Sequence, residues 1–150
     1  MKIPAELLRP FRPRAAQWVA VVLFVLTVVG APALFVIMAV NELQMSFPDR
    51  IGTVFIAVVL AWLCYRQAAV RAVPDDTGLT VRNFIRVRRV EWEEIVGVRF
   101  GPNNPWGQLD LSDGTTLAVM ALQAADGEYA RREAGRLAAL VKLRESDAPN

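Results

Sequence analysis

The hydrophobic pattern of the chain changes period twice. From Trp18 to Val40 the run WVAVVLFVLTVVGAPALFVIMAV is apolar on every side, and no charged residue lies between Ala15 and Asn41. At ~1.5 Å per residue this run predicts a helix of roughly 34 Å, enough to cross a hydrocarbon core of ~30 Å. A second run, Ile51 to Tyr65, is also uncharged. Alone it would reach only about 22 Å at ~1.5 Å per residue. Extended over 47–69, it spans if Arg50 and Arg66 snorkel toward the headgroups. The linker NELQMSFPDR is short, so the two spans, 18–40 and 47–69, form an antiparallel hairpin. Gly30 and Pro32 are tolerated within the first helix where the second covers them. Ala31-Pro32-Ala33 imitates a secretory cleavage site, but the apolar run continues through LFVIMAV, and the hydrophobic part of a signal peptide is shorter.

After Arg66 the period becomes two. Leu79 and Val81 alternate with Thr80 and Arg82, and Asn83-Phe84 marks a turn, since Asn tolerates the left-handed region. In IRVRRVEW, Ile85 and Val87 share one parity while Val90 and Trp92 share the other. That slip predicts a β-bulge at Arg88-Arg89. Val96, Val98 and Phe100 alternate up to the irregular loop GPNNPWG, then Leu109 and Leu111 up to the Asp113-Gly114 hairpin turn, then Leu117, Val119 and Ala121. With a strand near 69–73, about six or seven strands follow at hairpin spacing. The period then changes again. Asp126 is placed to cap a helix opening at Gly127 or Glu128, in which Ala130, Ala134, Leu137, Ala138 and Val141 form one apolar stripe.

Charge sharpens this division. The net charge of +2 hides a basic arm, where Lys2, Arg9, Arg12 and Arg14 face Glu6 alone. From Arg66 onward there are 12 basic and 12 acidic side chains, so the period-two part is neutral, unlike a nucleic-acid-binding domain. Basic residues flank the two spans at the N-terminal arm and at Arg66 and Arg71, while the linker holds only Arg50. The positive-inside rule then puts both termini in the cytoplasm, on the inner side of the cell membrane. Trp18, Trp62, Tyr65 and Arg66 are the residues expected at the membrane interface.

The order of bent antiparallel strands closed by one amphipathic helix is that of a pleckstrin-homology-like (PH-like) domain. The phrases GLTVRNFIRVRRVEWEEIVGVRF and LDLSDGTTLAVMALQAADGEYA, with a helix ending LAALV, resemble the bacterial PH-domain proteins of actinobacteria. The subgroup is the low-molecular-weight protein antigen 6 type. The resemblance implies two membrane spans before an α+β PH-like domain, a curved sheet or partial barrel capped by one C-terminal helix. It implies no catalytic residue set. The expected organisation is an arm over 1–17, the transmembrane hairpin over 18–69, the PH-like domain over 70–144 and a polar tail over 145–150.

Candidate chemistry is sparse. The chain has no His, which removes the commonest general base and metal ligand, and its one Cys, Cys64, lies inside the second span as an apolar filler. No nucleophile stands beside a base, and no Gly-rich phosphate cradle or metal-ligand spacing occurs. A non-enzymatic protein without catalytic residues, cofactor or metal is therefore expected. Asp75-Asp76 and Asp110 and Asp113 suit turns. Trp92 suits the core, and Trp106 either anchors a partner or folds over the sheet.

Arg82, Arg86, Arg88 and Arg89, with Arg99, form the basic cluster of the period-two part. They read as a solvated strand face or, alternatively, as an anionic-lipid contact. The partners expected are the lipid bilayer and a membrane-associated protein or a second copy of the chain. No nucleic acid and no small-molecule substrate is expected.

Overall fold

The structure is a computed structural model that describes residues 7–101 and 103–147. It divides into two compact units, residues 16–68 and residues 7–15 together with 69–147.

The first unit is a helical hairpin. Helix α1 runs over Arg14–Val40 and α2 over Phe47–Ala68, close to the boundaries that the apolar runs predict. Ser46 precedes α2 as its N-cap, exchanging hydrogen bonds with Asp49 through the Asp49 N–H and its own hydroxyl. At the opposite end Gln17 Nε2 donates to the Ala68 carbonyl at 3.0 Å, so the start of α1 meets the end of α2 and the helices are antiparallel. Both are long and apolar enough to cross a membrane, and their large side chains are exposed along nearly the whole length. The hydroxyls of Thr27 and Thr53 donate to carbonyls one turn earlier, at 2.8 and 2.9 Å, which satisfies them inside an apolar helix.

The second unit holds six strands: β1 Arg71–Pro74, β2 Gly78–Arg82, β3 Val87–Glu91, β4 Ile95–Arg99, β5 Trp106–Leu111 and β6 Thr116–Gln123. Helix α3, Glu128–Asp147, follows. All neighbouring strands are antiparallel, in the orders β1-β2-β3 and β4-β5-β6. Where a curved sheet or partial barrel is expected, the strands form two three-stranded sheets, and the described residues close no barrel. The break has a local cause. The chain makes one helical turn at Trp92–Glu94, which buries Trp92, while the Glu94 carboxylate accepts the Glu91 N–H at 2.8 Å and ends the first ladder.

The two sheets share one core. Leu79, Val81 and Val90 enter it from the first sheet, and Leu109, Leu111, Val119 and Ala121 from the second. Ala134, Leu137, Leu140 and Val141 of α3 complete it. Leu140 takes the place that the periodicity gave to Ala138, which is exposed. Gly78 is required where β2 enters the core, because a Cβ there would collide with the Val90 carbonyl.

Three sequence readings are corrected. Strand β3 has no bulge: its pairing with β2 is continuous from Gly78–Glu91 to Arg82–Val87. The parity slip arises because Ile85 and Val87 are outside, at 75% and 60% exposure, so no extra residue is needed to bring them in. The register shifts fall instead between Ile95 and Gly97 and between Trp106 and Gly107. Asn83 does not adopt the left-handed region. Its side chain joins the two sheets, donating to the Ala118 carbonyl at 2.6 Å and accepting the Met120 N–H at 3.0 Å. Asp126 does not cap α3. Its carboxylate accepts the N–H groups of Arg14 and Ala15, at 2.8 and 2.7 Å, which open α1.

The arm is also more than a basic leader. From Leu7 to Ala15 it belongs to the second unit, and Phe11 is fully buried in the core. Phe11 pairs with Ala72 as a one-residue extension of the first sheet. Arg136 of α3 holds this segment, donating to the carbonyls of Leu7 and Arg9 at 3.1 and 2.9 Å, with its guanidinium 3.8 Å above the Phe11 ring. Arg14 stacks on Tyr129 in the same way at 3.8 Å. A lone aromatic between two prolines, in RPFRPR, was the signal for such an extended insertion.

Candidate partner-binding surface

The β2–β3 hairpin carries four of the five candidate arginines, and the structure scatters them. Its turn is closed by the Asn83 N–H donating to the Arg86 carbonyl at 2.9 Å. Arg86 lies exposed in that turn. Directly opposite residues on antiparallel strands share a face, so Arg82 and Val87 share one and Arg88 shares the other with Val81. Arg88 sits at the rim of the core-facing side, and its guanidinium is 3.8 Å from Asp113 in the β5–β6 turn.

Arg89 is fixed by the β1–β2 turn. It donates to both carboxylate oxygens of Asp75, at 2.7 and 2.9 Å, and to the Thr77 hydroxyl. The same carboxylate accepts the N–H groups of Thr77 and Gly78 at 2.9 and 3.0 Å, which builds the turn. The Arg89 hydrogen bond, helped by Thr77 and Gly78 and opposed by slight desolvation, lowers the Asp75 pKa from 3.8 to about 2. Trp92 donates its indole N–H to the Asp75 carbonyl at 3.0 Å, so the expected core tryptophan also braces this turn. Asp76 meets Arg144 of α3 at 3.5 Å.

Arg99 belongs to the other sheet, where it pairs with Asp110 at 2.5 Å across β4 and β5. The carboxyl of Asp113 is held below the usual range by the hydroxyl and N–H of Thr115, with a smaller contribution from Arg88. Gly114 takes a positive φ of 80° in that hairpin, as the Asp-Gly pair predicts. Trp106 is the first residue of β5 and is half-buried. Trp18 lies in the first turns of α1, and Trp62, Tyr65 and Arg66 in the last turns of α2. The antiparallel hairpin brings all four to one end, with Arg66 6.0 Å above the Trp62 ring. No group of three or more His, Cys, Asp or Glu able to hold a metal ion occurs among the described residues.

Strand β3 ends its sheet, and its outer face is apolar as well as basic. Val87 and Val96 are 60% and 69% exposed, one on each strand flanking the Trp92–Glu94 turn. An edge strand of this kind leaves backbone groups open to another chain.

Comparison with known proteins agrees with this architecture. Residues 68–139 match the model of the bacterial PH domain. The chain is 35% identical over 82 residues to an uncharacterized protein of Mycobacterium tuberculosis, covering 55% of this chain and 53% of that one. It is 38% identical over 55 residues to low molecular weight protein antigen 6 of the same species, covering 37% of this chain and 48% of the relative. The chain thus spans about half the length of the curated relatives it matches. No solved structure matches it. The segment 68–139, which holds the six strands and the first part of α3, is therefore similar to the bacterial PH domain.

Proposed function

We propose that this protein is a non-enzymatic interaction module: α1 and α2 tether a PH-like domain to the cell membrane, with both termini on the cytoplasmic side, and the domain engages a membrane-associated protein. The observation that carries this reading is the open, exposed edge of β3 in a domain several of whose carboxylates are engaged in turns and ion pairs. Asp75 builds the β1–β2 turn, Asp110 pairs with Arg99, and Asp126 holds the start of α1. Tethering raises the effective concentration of the domain for other proteins in the same leaflet, so a weak contact suffices. The lipid reading has less support. An anionic-lipid surface needs guanidiniums gathered on one face, whereas Arg89 and Arg99 are held by Asp75 and Asp110 on different sheets.

The test is in-cell crosslinking of the full chain, with protease added outside intact cells. A reproducible crosslinked protein, and a region after Arg71 that resists external protease, are expected. Absence of any crosslinked protein, or digestion of that region from outside, would overturn the reading.

A further inference from the structure

The hydrogen-bond alternation of the first sheet identifies which groups of β3 are unused. In an antiparallel pair, directly opposite residues alternate between bonded and non-bonded positions. The bonds from Asn83 N–H to the Arg86 carbonyl and from Trp92 N–H to the Thr77 carbonyl fix the phase at both ends. The bonded pairs are therefore Val81–Arg88 and Leu79–Val90, and the backbone groups of Val87, Arg89 and Glu91 point away from β2. The Glu94 carboxylate already takes the Glu91 N–H. What remains is a short rail formed by the N–H and C=O groups of Val87 and Arg89.

The side chains next to Val87 along the strand are basic, and the Asp75 carboxylate is taken up by Arg89. Arg86 and Arg88 flank Val87, and Arg88 reaches Asp113 only at 3.8 Å, with 44% of its side chain exposed. Glu91, Glu93 and Glu94 lie beyond the far end, where the rail is already closed. A second copy is a poor occupant. Pairing VRRVE with itself would set arginines beside arginines, and like charges placed opposite are destabilising.

We propose that the β3 edge, Val87 to Arg89, takes an extended acidic segment of a partner protein as an added strand. The partner's backbone bonds to Val87 and Arg89, an apolar side chain covers Val87, and carboxylates meet Arg86 and Arg88. The proposal rests on the interaction reading above and names the chemistry of its partner.

The test uses the full chain in nanodiscs of neutral lipid and two short synthetic peptides, one alternating Glu with Val and one alternating Lys with Val. Amide hydrogen exchange is followed residue by residue. At saturation the acidic peptide should slow exchange at Val87 and Arg89 by about tenfold or more, and the Lys peptide should leave it unchanged. The double variant Arg86→Glu/Arg88→Glu should reverse the preference. Val87→Pro removes one outward N–H and no bond to β2, and should abolish the effect of either peptide. Near-UV circular dichroism of the aromatic side chains, matched to that of the unaltered chain, shows that each variant has folded.

An equal response to both peptides, or no response, would overturn the proposal; the arginines would then be guards that keep strands off the edge. Slowing that appears without peptide as protein concentration rises, or on adding anionic lipid, would assign the edge to a second copy or to the bilayer and overturn it equally. Crosslinking separates this failure from that of the interaction reading. A partner still held by the Val87→Pro chain removes only the rail. No partner held by the unaltered chain removes the reading itself.

Discussion

Phe11 and Ala72 exchange both of their backbone hydrogen bonds, at 2.8 and 3.0 Å, so a residue that precedes the first long helix extends a sheet that begins after the second. The phenyl ring fills the core, and the Arg136 guanidinium covers its face. The domain is therefore completed by a segment that lies some sixty residues upstream of its first strand.

Phe11→Ala is expected to destabilise this unit by ~3–5 kcal/mol, the usual result of emptying a fully buried aromatic site. Phe11→Leu should restore most of that loss and forfeit only the stacking on Arg136, about 0.5–1 kcal/mol. Thermal unfolding in detergent, followed by the near-UV signal of the aromatic side chains, measures both. An unchanged midpoint in Phe11→Ala would mean that the arm is not part of the core.

Asp126→Ala removes the acceptor of two N–H groups and should cost about 1 kcal/mol, as loss of a helix N-cap does. Amide exchange at Arg14 and Ala15 should quicken while Leu137 and Leu140 stay protected. Asp126→Asn retains an acceptor oxygen and should fall between the two.

Asp75 sets an acid limit. Its folded pKa of about 2 lies below the ordinary 3.8, so the native state binds the proton less tightly than the unfolded chain. The resulting stabilisation is complete above the unfolded value and is lost as pH falls from about 4 toward 2. It is small, because the ion pair with Arg89 is largely exposed and screened by solvent. In Arg89→Gln the Asp75 midpoint should move up toward 3.8 while remaining lower, because the Thr77 and Gly78 N–H groups still donate. Carboxyl NMR titration reads this directly.

Asn83→Ala should cost roughly 1–3 kcal/mol, because two partly buried backbone groups, the Ala118 carbonyl and the Met120 N–H, lose their partner. Asn83→Gly, which relaxes the backbone equally well in a left-handed turn, should bring no rescue. Rescue by glycine would return Asn83 to a purely conformational role.

Local pattern was enough to write down the elements. Two long uncharged apolar runs predict helices long enough to cross a membrane, and the helices α1 and α2 fall where those runs lie. Alternation pointed to about six or seven strands, of which the structure has six, and Asp113-Gly114 marked its hairpin, because side-chain parity and turn chemistry depend on neighbours along the chain. Tertiary structure decided what required distant residues to meet. Periodicity does not record that Phe11 fills a core built by residues beyond Val70, or that Asn83 bonds to β6. Nor does it show that Asp126 holds Arg14 and Ala15 instead of its own helix. The same holds for the arginines. Four of them share one short stretch, but strand parity, the Asp75 turn and the end of the first ladder send them to different faces, and only the register shows which β3 backbone groups remain open.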